Sequence, residues 1–174
     1  MRVNLATDGA ARGNPGPAGI GAVVTNDDGE VLARVAEGIG VATNNVAEYR
    51  AAIEGLRAAA DLGADEVVLK ADSKLLIEQL RGKWRVKNPS LQVLHGQARE
   101  QMRRFQRVRL VHVPRELNKA ADKAANEGVD AWLMSNIAPD PEGPDPSLWE
   151  KLPRPGRSIL VDGGAGRAAA AVHS

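Results

Sequence analysis

Residues 2–8 alternate apolar and polar positions, with Val3, Leu5 and Thr7 on one face and Asp8 at the end, the period-two pattern of a half-buried strand. A glycine- and proline-rich stretch from Gly9 to Gly19 then predicts a loop. Two further alternating runs, 19–26 and 30–37, flank Asn26-Asp27-Asp28-Gly29, whose Asp-Gly pair predicts a hairpin. The first forty residues therefore read as three antiparallel strands. Thr43 is placed to cap a helix that runs to Leu62 and closes at Gly63. Val67-Val68-Leu69 is a short strand leading to Asp72, and Ser73 caps a helix to Arg81. A more basic helix is expected from Ser90 to Phe105, a fifth strand over 107–113, and a last helix from Asn118 to Trp132.

After Met134 the pattern changes to Pro, Gly and Ala, with six prolines in residues 139–155, so residues 1–133 are expected to be one folded domain and 134–174 a tail or linker. Near the end, Gly164-Ala-Gly166-Arg-Ala-Ala169 matches a dinucleotide fingerprint on paper. Only five residues follow it, too few for the βαβ unit that gives the motif meaning.

Composition narrows the chemistry. The 174 residues contain no cysteine and three scattered histidines, His95, His112 and His173, which excludes thiol nucleophiles, disulfide scaffolds, iron–sulfur clusters and zinc ribbons. No apolar run approaches the roughly 20 residues of a membrane span, and no basic-then-apolar leader follows Met1, so the expected compartment is the cytoplasm. The net charge of +1 hides an asymmetry: residues 81–119 hold eleven basic and two acidic side chains, a local +9, leaving −8 elsewhere. Such a split suits a polyanion on one side and cations on another. The five aromatics, Tyr49, Trp84, Phe105, Trp132 and Trp149, are too few for a base-stacking platform.

Four carboxylates stand out against duller explanations. Asp8-Gly9 could be a turn, and Asp72-Ser73 a capping pair. Glu48, however, falls opposite the wet helix face of Arg50, Glu54, Arg57 and Asp61, in register with Ala52, Gly55 and Ala59, so it points inward over small residues. A buried carboxylate without a partner is costly, so a cation should compensate it. In the last helix Lys119, Lys123, Glu127 and Asp130 mark the wet side and Ala121, Ala124, Ala125, Gly128 and Trp132 the packed side, with Asp122 on the border. If these acids converge, their mutual repulsion requires divalent cations. Hard oxygen ligands point to Mg²⁺ or Mn²⁺, and two such ions about 4 Å apart are suited to in-line phosphodiester hydrolysis.

Thr7-Asp8-Gly9, Gly13-Asn14-Pro15-Gly16, Thr43-Asn44-Asn45 with Glu48, Ala71-Asp72-Ser73, and Val113-Pro114-Arg115-Glu116-x-Asn118-x-x-Ala121-Asp122 occur in that order. Together they resemble ribonuclease HI (RNase H type 1) over residues 1–133. The resemblance implies an α/β, RNase H-like fold: a five-stranded mixed sheet, first three strands antiparallel, helices on both faces. It implies an endonuclease that hydrolyses the RNA strand of RNA–DNA hybrids with two Mg²⁺ ions, Mn²⁺ substituting, to give 5′-phosphate and 3′-hydroxyl products.

Carried over by position, Asp8, Glu48, Asp72 and Asp122 are the metal ligands, with Asp8 bridging both ions. Asn14, Asn44 and Asn45 match positions that read ribose 2′-hydroxyls, Thr43 a DNA-strand phosphate contact, and Trp84 the lining of the DNA channel. Arg115 stands where many bacterial members carry a catalytic His, as in archaeal and actinobacterial relatives, and its role would be electrostatic. His112 is expected to be an ordinary sheet residue. The Lys-rich handle of some bacterial members is shortened to Gly82–Pro89, so substrate grip is expected to be either weaker or redistributed onto Arg99, Arg103, Arg104 and Arg107. A monomer is expected, with duplex RNA as an open second substrate. The alternatives are a noncatalytic hybrid- or duplex-RNA-binding module and a DNA-directed integrase or resolvase. A DNA enzyme has no use for the asparagines that read 2′-hydroxyls.

Overall fold

The structure is a computed structural model that describes residues 1–136; the sequence expectations for 137–174, including the glycine motif, fall outside the described residues. Five strands, β1 (Arg2–Ala11), β2 (Gly16–Thr25), β3 (Val31–Ala42), β4 (Glu66–Ala71) and β5 (Arg107–His112), form one mixed sheet in the order β3-β2-β1-β4-β5. The β3-β2-β1 half is antiparallel and β1, β4 and β5 run parallel. The helices are α1 (Asn44–Asp61), α2 (Lys74–Leu80), α3 (Pro89–Met102) and α4 (Lys119–Ser135).

Side chains on β2 show how the two faces are used. Ala22 meets the Gly55 position of α1, whereas a Cβ on its neighbour Gly21 would lie 2.2 Å from the Ala121 carbonyl oxygen of α4. Successive strand residues point to opposite faces, so α1 and α4 sandwich the sheet. The main core, which includes Val3, Leu5, Ile20, Tyr49, Leu56 and Leu69, lies on the α1 side.

The strands are longer than the period-two pattern predicts. β1 continues through Gly9-Ala10-Ala11 and β2 begins at Gly16, so the expected loop from Gly9 to Gly19 shrinks to residues 12–15. The glycines misled because they serve close approach rather than turning: a Cβ at Gly9 would lie 2.3 Å from the Ala47 carbonyl carbon, and one at Gly19 2.4 Å from the Ala125 oxygen. A true turn glycine is Gly29, at φ 83°, in the expected hairpin, where Asn26 Oδ1 accepts from the backbone N–H groups of Asp28 and Glu30.

Helix ends follow cap chemistry. Thr43 caps α1 by accepting from Val46 N at 3.2 Å, and Ser73 caps α2 through Leu76 N at 3.2 Å. α3 starts one residue earlier than expected, with Asn88 as its cap and Pro89 in the first helical position, and it ends at Met102, short of the expected Phe105. α4 continues to Ser135, past the expected end at Trp132. Glu127, expected on its wet side, is buried and paired with Arg34 of β3, a partner that no local pattern reveals.

Candidate active site

In the parallel pairing of β1 with β4, Thr7 sits opposite Ala71. The next residues, Asp8 and Asp72, therefore lie side by side where the β1–β4 pairing ends, 64 positions apart in the chain, although β1 itself runs on to Ala11. Ligands of α/β proteins gather at this edge of a sheet. Asp8 also lies opposite Gly21 in the antiparallel register, on the face that α4 covers.

α1 brings Glu48 in from the other face. Gly9 has no side chain, so the helix lies against β1 closely enough for Gly9 N–H to donate to Glu48 Oε1 at 2.7 Å. Asp122 stands in the first turn of α4, whose start is tied to β1 by Asn118 Nδ2 donating to Thr7 O at 2.9 Å. Asn118 was expected only as a helix start; its side chain makes no cap hydrogen bond and serves this inter-element tie instead.

The carboxylate oxygens of Asp8, Glu48 and Asp72 come within 4.8 Å of one another. Asp122 lies outside that group but lines the same cavity of about 360 Å³, together with Asn44, Arg115 and Asn126. Asp8 and Glu48 are 5% and 4% exposed, so water cannot screen their charges. Burial is the main force raising the pKa of Asp8, and the neighbouring Glu48, Asp72 and Asp122 push it further. Burial also raises Glu48, against the opposing pull of the Asp8 and Gly9 hydrogen bonds and of Arg115. Glu48 Oε2 is buried without a hydrogen-bond donor. An oxygen-only donor set with an orphaned acceptor, which repels itself when fully ionised, fits divalent cations of the Mg²⁺ type.

The substrate residues named from sequence fall into two places. Asn14 and Asn44 meet directly, Asn14 Oδ1 accepting from Asn44 N at 3.0 Å, and Thr43, Asn44 and Asn45 are exposed at the start of α1 beside the cavity. Trp84 is not among the cavity's lining residues; it is 43% exposed after α2, with Lys74 Nζ 5.9 Å from its ring centroid. Arg115 is exposed on a short 3₁₀ turn, Arg115–Leu117. His112 ends β5, exposed, its Nε2 3.3 Å from the Asp72 carbonyl oxygen. Two of the polar lining residues, Arg12 and Asn126, were not among the site residues expected from sequence. Asn126 carried a usable signal, since it follows Asp122 by one helical turn, whereas nothing local pointed to Arg12.

A β3-β2-β1-β4-β5 mixed sheet between helices, with acids where the pairing of its two central parallel strands ends, is the RNase H-like architecture. The reverse transcriptase-like family matches residues 6–128. Ribonuclease HI of Halobacterium salinarum is 46% identical over 129 residues, covering 74% of this chain and 65% of its own length. A bifunctional protein of Mycobacterium tuberculosis is 50% identical over 139 residues, covering 79% of this chain and 38% of its own. The chain thus spans about two fifths of the length of that mycobacterial relative. Among solved structures, RNase H1 from Halobacterium salinarum superposes with a TM-score of 0.73 at 46% identity, covering 75% of this chain and 98% of that one. LC11-RNase H1 in complex with an RNA/DNA hybrid gives 0.71 at 39%, covering 75% and 99%. This chain belongs to the ribonuclease HI (RNase H type 1) family.

Proposed function

We propose that residues 1–133 form an endonuclease that hydrolyses the RNA strand of RNA–DNA hybrids, leaving 5′-phosphate and 3′-hydroxyl ends. The observation that carries this reading is the buried Asp8, Glu48 and Asp72 cluster, its oxygens within 4.8 Å of each other on a cavity that Asp122 also lines. Asp8, Glu48, Asp72 and Asp122 would hold two Mg²⁺ ions, or Mn²⁺ in their place, and the ions would supply an activated water and offset the charge of the phosphate in flight.

The chain's own groups do the rest. Arg115, at the cavity wall, stabilises negative charge on the phosphate through its guanidinium rather than moving a proton. Asn14, Asn44 and Asn45 present amides and backbone groups where the RNA strand would pass. They select it by its 2′-hydroxyls without reading bases. Thr43 takes a DNA-strand phosphate, and exposed Trp84 lies along the DNA strand's path. The basic stretch of residues 81–119 attracts the backbone, and the residues that follow α4 act as a tail or linker outside the catalytic domain. Among the described residues no helix is long and apolar enough to cross a membrane.

Labelled hybrid, duplex RNA and duplex DNA, incubated with the protein and Mg²⁺, Mn²⁺ or EDTA, provide the test, with Asp8→Asn as control. Cleavage of the hybrid's RNA strand, lost with EDTA and with Asp8→Asn, is expected. Hybrid that is bound but uncut with either metal would leave a binding module in place of an enzyme.

A further inference from the structure

The β1–β2 turn, residues 12–15, touches both helices that carry acids of the cluster. On one side Asn14 fastens the first residue of α1, one turn ahead of Glu48, through the 3.0 Å bond to Asn44 N. On the other, Arg12 extends to α4. Its Nη2 lies 2.7 Å from Asp130 Oδ1, 3.4 Å from Asn126 Oδ1 and 3.5 Å from the Asn126 carbonyl oxygen. Asn126 in turn reaches back one helical turn: its Nδ2 donates to the Asp122 carbonyl at 3.0 Å and to Asp122 Oδ1 at 3.3 Å. The two ends of the Asn126 amide are told apart by these partners. A guanidinium only donates, so the amide oxygen faces Arg12 and the NH₂ is left to face the carboxylate.

The backbone of α4 does not need this link. It is seated by packing against Gly19 and Gly21 and by the bond from Asn118 to Thr7. The Asp122 carboxylate is different: it is half-buried in the first turn and lines an open cavity. Among the described residues, the Asn126 amide is the side-chain donor to that carboxylate. Arg12 and Asn126 both line the cavity as well.

We propose that Asn126, held in orientation by Arg12, is a positioning residue for Asp122: it aims that carboxylate toward Asp8 and thereby sets the affinity of the site for a divalent cation. The proposal rests on the acidic cluster being a cation site. The dull alternative is that Arg12 and Asp130 form an ordinary surface ion pair, and such pairs contribute little. Partners that orient a metal-binding carboxylate, by contrast, change affinity on the order of 10-fold or more when removed.

The deciding measurement is calorimetric titration of Mn²⁺, without nucleic acid, into the full chain and into Asn126→Leu, Arg12→Met and Asp122→Asn, with the fold of each checked by circular dichroism. Asn126→Leu and Arg12→Met are expected to bind Mn²⁺ on the order of 10-fold more weakly with the melting temperature little changed. In the cleavage assay excess cation should restore much of their turnover, which a general loss of structure would not allow. If Asp122→Asn weakens binding while both other variants match the wild type, the positioning role is overturned. If Asp122→Asn binds as tightly as the wild type, Asp122 does not set the affinity and the positioning role is overturned; if the full chain itself takes up no Mn²⁺, the cation-site reading has failed instead. Should Asn126→Leu not fold, Arg12→Met, altered on the neighbouring turn, decides the question alone.

Discussion

Asp8 is the residue on which most of the site's physics converges. Its carboxyl is buried among three others, so the folded chain without cations holds its proton far more tightly than the unfolded chain does. Where the native state binds more protons than the unfolded state, stability falls as pH rises. The cation-free protein should accordingly lose stability from about pH 4, where an ordinary aspartate ionises, up through neutrality, with Glu48 contributing in the same direction. Thermal melts in EDTA at several pH values check this, and Asp8→Asn, which removes the charge but keeps the shape, should melt higher at pH 8 and flatten the slope. An unchanged slope would contradict the burial argument. Arg115 sits at the other extreme, exposed and fixed in charge. Arg115→Ala is expected to lower turnover by about 100-fold, the scale of losing one preorganised charge-stabilising donor, while hybrid binding is largely kept. Single-turnover cleavage beside a binding isotherm separates the two effects. The identity of these residues was legible in the chain because each motif is local, and the inward aim of Glu48 followed from helical periodicity alone.

At the scale of elements, spacing between helix and sheet decides whether the acids meet. α1 and α4 approach the strands through glycines, and a Cβ at Gly21 would overlap the Ala121 oxygen at 2.2 Å and the Ala125 nitrogen at 2.4 Å. Both are backbone atoms, which cannot swing aside as a flexible side chain can. Gly21→Ala should therefore push α4 off the sheet, costing about 1–3 kcal/mol by the usual scale of overpacking, and carry Asp122 away from Asp8. Chemical denaturation measures the first effect and Mn²⁺ titration the second; a variant as stable as the wild type would show that the helix shifts without cost. Gly9 and Gly19, which admit the helices in the same way, were read from sequence as loop residues, since a glycine that admits a helix and one that admits a turn look alike until the partner is in place. Glu127 failed for a related reason. Helical spacing identifies one apolar stripe, but α4 also packs its flank against β3, where Arg34 supplies the charge that makes burial tolerable.

For the whole molecule, the near-zero net charge hides an acidic pocket where the pairing of β1 with β4 ends and a basic stretch over residues 81–119. Binding of hybrid should therefore weaken steeply with salt through counterion release, by orders of magnitude between about 50 and 200 mM if six or more phosphates are contacted. Binding isotherms of the Asp8→Asn variant, which spare the substrate, provide the slope; a flat dependence would remove the basic stretch from the interface. From the sequence alone came the order of the elements, the caps, the four acids and the family they resemble, because periodicity, capping and motifs are encoded within a few neighbouring residues. Only the tertiary structure set Asp8 beside Asp72 through a strand register, extended β1 and β2 through their glycines, buried Glu127 on Arg34, and brought Arg12 to Asn126. Each of these depends on a partner distant in the chain, and contacts of that kind are decided when sheet and helices pack.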